Sequence, residues 1–407
     1  MKKTFISSLL FIFLNLSLFG QTKEEIINNM INEVTYLASD KLEGRATGTK
    51  SEKLAAKYIS EKFKKYNLQS KGEDGFLQYF DAKIKENPHS QKIKKKITGM
   101  NVVGYLDNKQ KETIIIGAHY DHVGYGSFGS LYDGEKQVHN GADDNASGVA
   151  ALIQLAKFYN QSAYDAHNYI FIAFSGEEKG LLGSNAYVKK TDQLKGFNCM
   201  INLDMIGRLD TASTLQIYGT GTSPSWDDLI DTNNVYGFNI KKSKSGTGPS
   251  DHTMFYLQDI PVLHFFTGAH EDYHKPSDDA EKINYQGIIK IVYFIQNIIN
   301  DLDNTYPLAF TKTKEQNNKN TPRFSVTLGV MPDYLFDGEG MRIDGISPGR
   351  PAEEAKMKKG DIVIQLGKNR VTDMTTYMKA LGAHSKGERV NVIAIRDGQE
   401  LIFSVQF

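Results

Sequence analysis

A single cysteine, Cys199, stands in a chain of 407 residues. No intramolecular disulfide can form, and Cys-based zinc fingers and CxxC redox sites are excluded. An excess of one charge sign is also missing, since 48 Lys and Arg balance 48 Asp and Glu. Nucleic-acid binders normally carry a basic surplus, so that class is set aside. Beyond the first twenty residues there is no long hydrophobic run, and hence no second candidate for a membrane segment. The 40% hydrophobic and 24% charged content belongs to a globular chain, not a disordered one. This length accommodates roughly two or three domains. Any transition-metal site must be built from His, Asp and Glu.

The start of the chain reads as an export signal. Met1-Lys2-Lys3 is followed by a mostly apolar stretch from Phe5 to Phe19 and a small residue at Gly20. A basic start, a short apolar segment and a small-residue junction describe a secretory signal peptide over residues 1–20. No cysteine lies at the junction, which excludes a lipoprotein anchor. The expectation is an exported protein, periplasmic or extracellular, with no stable membrane anchor after cleavage.

Residues 21–304 read as one α/β domain. Thr22-x-x-Glu25 is a capping box, and apolar residues then recur at helical spacing to Leu37. Ser51–Tyr66 predicts a second amphipathic helix. Phe76–Ile97 reads as strand with a turn near Asn87-Pro88. From Asn101 onward, short apolar runs (102–106, 113–117, 169–174, 200–203, 215–218, 261–266) alternate with helical patterns (146–159, 181–189, 225–235, 283–302). That alternation predicts a mostly parallel central sheet covered by helices on both faces. Residues 305–322 are polar and aperiodic, a linker. Residues 323–407 return to short strands with helices near 351–357 and 375–381, a small α+β domain.

Acids and histidines gather where strands end. His119-Tyr-Asp121-His122 follows the 113–117 run, and Asp143-Asp144 precedes the 146–159 helix. Glu177-Glu178 follow 169–174, and Asp204 follows 200–203. Asp251-His252 and Tyr273-His274 come later. One such residue is ordinary surface, but repetition at one sheet edge is not. Like charges repel unless cations intervene. Ligands from the carboxyl ends of parallel strands, without thiolate, fit catalytic zinc, with manganese or cobalt as substitutes. Of the adjacent acids Glu177 and Glu178, one suits a ligand and the other a base. The Gly124-x-Gly126-x-x-Gly129 sequence is discounted as a dinucleotide loop because no helical pattern follows it. Cys199 is a core thiol in an apolar strand.

These motifs closely resemble the co-catalytic di-zinc peptidase family of secreted leucine-type aminopeptidases, glutamate carboxypeptidases and glutaminyl cyclases. The resemblance spans about 21–304 and includes Leu37–Arg45, Asn140–Gly148, Phe174–Ser184 and Tyr273–Asp278. It implies a zinc-exopeptidase fold and two zinc ions. His119, Asp143 and Asp204 would hold one; Asp143, Glu178 and His274 would hold the other, with Asp143 shared. It gives Glu177 the role of general base and Asp121 that of orienting His119, and leaves Asp144 without a metal. His122, Asp251, His252 and Tyr273 are candidates for supporting or substrate contacts. Residues 323–407 resemble a protease-associated PDZ domain, with Leu328-Gly329-Val330 as the loop that would hold a peptide's C-terminal carboxylate. The implied activity is an exopeptidase acting on peptides, most simply an aminopeptidase. A carboxypeptidase, a glutaminyl cyclase and a peptide-binding adaptor with a vestigial metal site are the alternatives.

Overall fold

A computed structural model describes residues 22–85, 93–126, 129–132, 134–162, 164–191, 194–304, 307–313, 326–332, 336, 338–346, 349–372 and 374–407. The expected signal peptide and the turn near Asn87-Pro88 lie outside them. Helix α1 (Lys23–Leu37) starts as its capping box requires, with the Glu25 N–H donating to Thr22 Oγ1 at 3.1 Å. Helix α2 (Lys50–Lys65) follows, capped by Thr49. Three strands come next: β1 (Gln69–Ser70), β2 (Leu77–Lys85) and β3 (Ile93–Leu106). Strand β4 (Thr113–His119), helix α3 (Gly148–Gln161), strand β5 (Asn168–Phe174), helix α4 (Leu182–Lys190) and strand β6 (Phe197–Leu203) make up the heart of the domain. Then come β7 (Thr214–Tyr218), α5 (Trp226–Asn233), β8 (Asn239–Ser243), α6 (His252–Tyr256), β9 (Val262–Phe266) and α7 (Tyr285–Asn300).

The strands form one sheet in the order β1-β3-β5-β4-β6-β9-β7-β8, with β2 also paired to β3. Its centre, β5-β4-β6-β9, is parallel. At the margins β3 runs antiparallel to β5, and β7 antiparallel to β9. Continuous apolar sequence is explained by burial on both faces. Ile114 and Ile116 pack with residues of α1, α2, α3 and α7. Ile115, between them, packs on the other side with Tyr187 of α4 and Phe255 of α6. The central strands end in register: His119 lies opposite Phe174, and Leu203 opposite Phe265. Residues just beyond these ends therefore share one rim.

Of the expected linker 305–322, only residues 307–313 are described. Residues 307–313 lie against the α/β domain because they supply partners to its edge. The Leu308 N–H donates to Asn198 Oδ1 at 2.9 Å, the Thr311 N–H to the Thr222 carbonyl, and the Thr313 N–H to the Tyr256 hydroxyl at 3.1 Å. Residues 314–325 lie outside the described set.

The C-terminal segment has its own apolar core, built around Leu328, Val363, Val392 and Val405. Its strands are β10 (Val330–Pro332), β11 (Met341–Ile346), β12 (Ile362–Leu366), β13 (Asn369–Arg370), β14 (Arg389–Arg396) and β15 (Gln399–Gln406). Helices α8 (Pro351–Glu354) and α9 (Met374–Gly382) complete it. The first described strand of this segment is β10, and residues 314–325 lie outside the described set. Gly329 takes a left-handed φ of 73°, and a Cβ there would sit 2.1 Å from Arg350 Cβ.

Candidate metal centre

Most acids and imidazoles of the centre stand at or just beyond a strand end or in a helix-initiating turn. β4 closes on His119, β5 delivers Glu177 and Glu178, and β6 delivers Asp204. The turn into α3 carries Asp143 and Asp144, where Gly141 is left-handed and Asp144 departs from helical dihedrals (φ −105°, ψ 90°). The Asp144–Asn145 peptide is cis. The loop after β9 brings His274.

Two ligand groups result. His119 Nε2 lies 3.2 Å from Asp204 Oδ1 and 3.3 Å from Asp144 Oδ1. His274 Nε2 lies 3.1 Å from Asp144 Oδ2 and 3.1 Å from Glu178 Oε2. His122 Nδ1 joins the second group, 2.8 Å from Glu178 Oε1. Within each group, one donor atom per residue lies within 4.8 Å of the others. The carboxylate common to both groups is Asp144, one oxygen toward each, where the resemblance implied Asp143 and left Asp144 without a metal. Asp143 is buried and its oxygens are occupied elsewhere. Oδ1 accepts from the Gly207 N–H (2.6 Å) and Ser147 Oγ (3.0 Å), and Oδ2 lies 3.1 Å from His270 Nε2.

Ring tautomers test whether a cation fits. His119 Nδ1 is 3.2 Å from the Asp121 carbonyl oxygen, and His274 Nδ1 is 2.6 Å from that of Gly129. A carbonyl only accepts, so each Nδ1 carries hydrogen. In a neutral ring the Nε2 lone pair then points at carboxylate oxygens, acceptor against acceptor. A divalent cation between them resolves this, and the Nδ1–H···O=C contacts are the usual outer partners of ligating histidines. Where protein charges act alone, burial disfavours both imidazolium forms, yet neighbouring carboxylates outweigh it. Asp204 and Glu177 push the His119 pKa well up, and Glu178 and Asp144 do the same for His274. Glu178 falls to about 2 although burial opposes its charge, because His274 faces it.

Glu177 belongs to neither ligand group. Burial, opposed by His119 and reinforced by Asp204 and Glu178, raises its pKa well above the usual carboxylate range. Its N–H donates to Asp121 Oδ1 at 3.1 Å, while Thr47 Oγ1 donates to Asp121 Oδ2 at 2.7 Å. The Asp121 carboxylate itself stands 3.8 Å from His119 Nδ1. Asp121 therefore touches both the ring and the base.

Of the other expected residues, Asp251 is buried, and burial raises its pKa to about 7. His252 is stacked on His264 at 4.5 Å and 4°, and burial keeps it neutral. Tyr273 stacks on His274, with ring centroids 4.0 Å apart.

Several participants had no role in the sequence reading. Ser250 Oγ donates to Asp204 Oδ2 at 2.7 Å and accepts from Asn202 Nδ2. Asp278 Oδ2 accepts the N–H groups of Asp143 and Asp144. Asp272 gathers Arg208, Lys282 and Ser277 and ties down the loop of His274. Asp278 stood inside a quoted motif, and Ser250 beside two quoted residues, but nothing in the spacing told ligand from support.

Residues 101–299 match peptidase family M28, and residues 313–407 match the PDZ domain. The aminopeptidase YwaD of Bacillus subtilis is 29% identical over 201 residues, 46% of this chain and 41% of that protein. The chain spans under half the length of the other curated aminopeptidases it matches. Among solved structures, a zinc aminopeptidase from Bacillus subtilis superposes with a TM-score of 0.55 at 17% identity, covering 72% of this chain and 96% of that one. A glutaminyl cyclase of Porphyromonas gingivalis does so with a TM-score of 0.55 at 14% identity, covering 68% and 98%. At such identities the superpositions establish the fold.

Proposed function

The chain belongs to peptidase family M28 and carries a C-terminal PDZ domain, and from that premise we propose that it is an exported zinc-dependent aminopeptidase. The observation that carries the reading is Asp144, whose two oxygens face two separate His-carboxylate groups. In this reading two zinc ions are held, one by His119, Asp204 and Asp144, the other by Asp144, Glu178 and His274, with His122 beside the second. Zinc at such a site supplies Lewis acidity toward a carbonyl oxygen and acidifies water.

The chain's own residues do the rest. Glu177, with a pKa raised by burial, takes a proton from the water that attacks the scissile carbonyl carbon. It passes that proton to the amine that leaves as the C–N bond breaks. A raised pKa suits a group that must both accept and donate near neutral pH. Asp121 fixes the Glu177 backbone, and Ser250 and the Gly129 carbonyl fix Asp204 and His274. The PDZ domain, with Leu328, Gly329 and Val330 as its carboxylate loop, takes the C-terminus of a peptide by strand addition.

Aminopeptidase relatives favour attack at the free amino end, and the glutaminyl cyclase neighbour makes cyclisation the second reading. The test uses three peptides: one with a free N-terminal leucine, its N-acetyl counterpart, and one with N-terminal glutamine. Release of leucine from the first alone is expected. Ammonia loss from the third without cleavage of the first would favour the cyclase. Cleavage at the carboxyl end of the acetylated peptide would favour a carboxypeptidase. Peptide binding without any product would leave the adaptor.

A further inference from the structure

The turn Asp40–Arg45 between α1 and α2 is strained. Glu43, Gly44 and Arg45 follow one another in the left-handed region, at φ 46°, 67° and 50°. Non-glycine residues stay there only where their surroundings hold them, and such strain concentrates at functional sites. Here the surroundings are the loops of the metal centre. The Gly44 carbonyl accepts the Gly124 N–H at 3.1 Å. A Cβ on Gly44 would meet the His139 carbonyl oxygen at 2.5 Å and that of Gly124 at 2.6 Å. Only glycine allows the turn to seat this deeply.

Seated, the turn delivers Arg45 beneath the centre, with the residue 1% exposed. Its Nε–H donates to the Tyr120 carbonyl at 2.8 Å, and Tyr120 stands between His119 and Asp121. Nη1 donates to the Asn140 carbonyl at 2.7 Å and to that of Leu37, and Nη2 to the Gly141 carbonyl at 3.0 Å. Asn140-Gly141 leads directly into Asp143-Asp144. Among the described residues Arg45 makes no ion pair with a carboxylate. Burial lowers its pKa to about 10, which leaves it charged at neutral pH, with Asp144, Asp121, Asp278 and Glu178 acting on it from a distance.

We propose that Arg45 is a positioning residue of the metal centre, pinning the turn of His119 to the turn of Asp144 through backbone carbonyls alone. The proposal rests on the two-group metal reading above. A planar guanidinium can serve four carbonyls at fixed angles, and a lysine ammonium cannot. Charge alone would work the other way, since a fixed cation repels bound zinc.

Arg45→Lys and Arg45→Gln in the full chain separate these effects. The readouts are zinc affinity by competition with a chromogenic chelator, the visible spectrum of the cobalt-substituted protein, and kcat and KM. Both variants are expected to fold and to bind zinc at least ten-fold more weakly, with a changed cobalt spectrum and kcat falling more than KM changes. Unchanged or tighter zinc binding in either variant overturns the proposal, tighter binding pointing to simple charge repulsion. Failure of both variants to fold overturns it as well, making Arg45 a folding residue. Zinc uptake by the wild-type chain is measured first, so that absence of a metal site is told apart from failure of Arg45's role.

Discussion

Glu177 and Glu178 are sequence neighbours held in opposite states. Glu178 faces His274 and His122 and is driven to about 2, whereas burial drives Glu177 upward. On the function proposed above, that divergence suits Glu178 to a ligand's role and Glu177 to a base's. Glu177→Gln keeps the shape and removes the base. It is expected to lower kcat by roughly 10²–10⁴ with zinc content unchanged, measured by rate assay and metal analysis of the same sample. Loss of zinc along with activity would make Glu177 a ligand instead.

Asp143 and Asp144 show where sequence reading stops. Both are buried acids in one turn, so pattern and charge rank them equally. The left-handed Gly141 and the non-helical dihedrals of Asp144 decide which side chain faces the centre, and neither is visible in residue spacing. The Ser147 hydroxyl that occupies Asp143 comes from the same turn, but the Gly207 N–H comes from a distant part of the sequence. Asp144→Asn is expected to lose most bound zinc. Asp143→Asn, which keeps an acceptor for Gly207, is expected to retain more of it while losing stability. The reverse order of zinc content would restore Asp143 as the shared ligand.

At the scale of elements, the strands of the central sheet were legible because two-sided burial demands unbroken apolar runs. Most of their helices were legible because apolar residues recur at helical spacing; α3 is buried all round from Gly148 to Ala156, and the short α6 was not read from the sequence. The polar stretch 307–313 was read as linker, since its anchors are backbone N–H groups meeting Asn198, Thr222 and Tyr256, and backbone donors carry no sequence signature. The loop after β9 is another element held by polar contacts. Its Asp272 lies at about 2 because Lys282, Ser277 and Arg208 outweigh the cost of burial. An acid held below its unfolded value, near 4, stabilises the fold above that pH. The benefit is lost as pH falls from about 4 toward 2. Asp272→Asn is therefore expected to lower the melting midpoint at pH 7 by roughly 2–4 °C, the scale of about 1 kcal/mol in a domain of this size. The gap from wild type should narrow below pH 3, as read by thermal melts across pH. An equal gap at both pH values would mean that the ion pairs contribute nothing.

For the molecule as a whole, the balance of 48 basic and 48 acidic residues conceals a local excess of acid at one sheet rim. The formal tally omits the cations that such a rim calls for. A single buried thiol, Cys199, leaves stability to the three apolar clusters, two on the faces of the α/β sheet and one in the C-terminal segment, and leaves any metal binding to oxygen and imidazole. The most direct measurement is reconstitution of chelated, metal-free protein with zinc while leucine release from a free N-terminus is followed. The account predicts no activity without metal and a rise that completes at two zinc ions per chain. Activity that survives chelation, or a chain that takes up zinc and releases no amino acid, would contradict it.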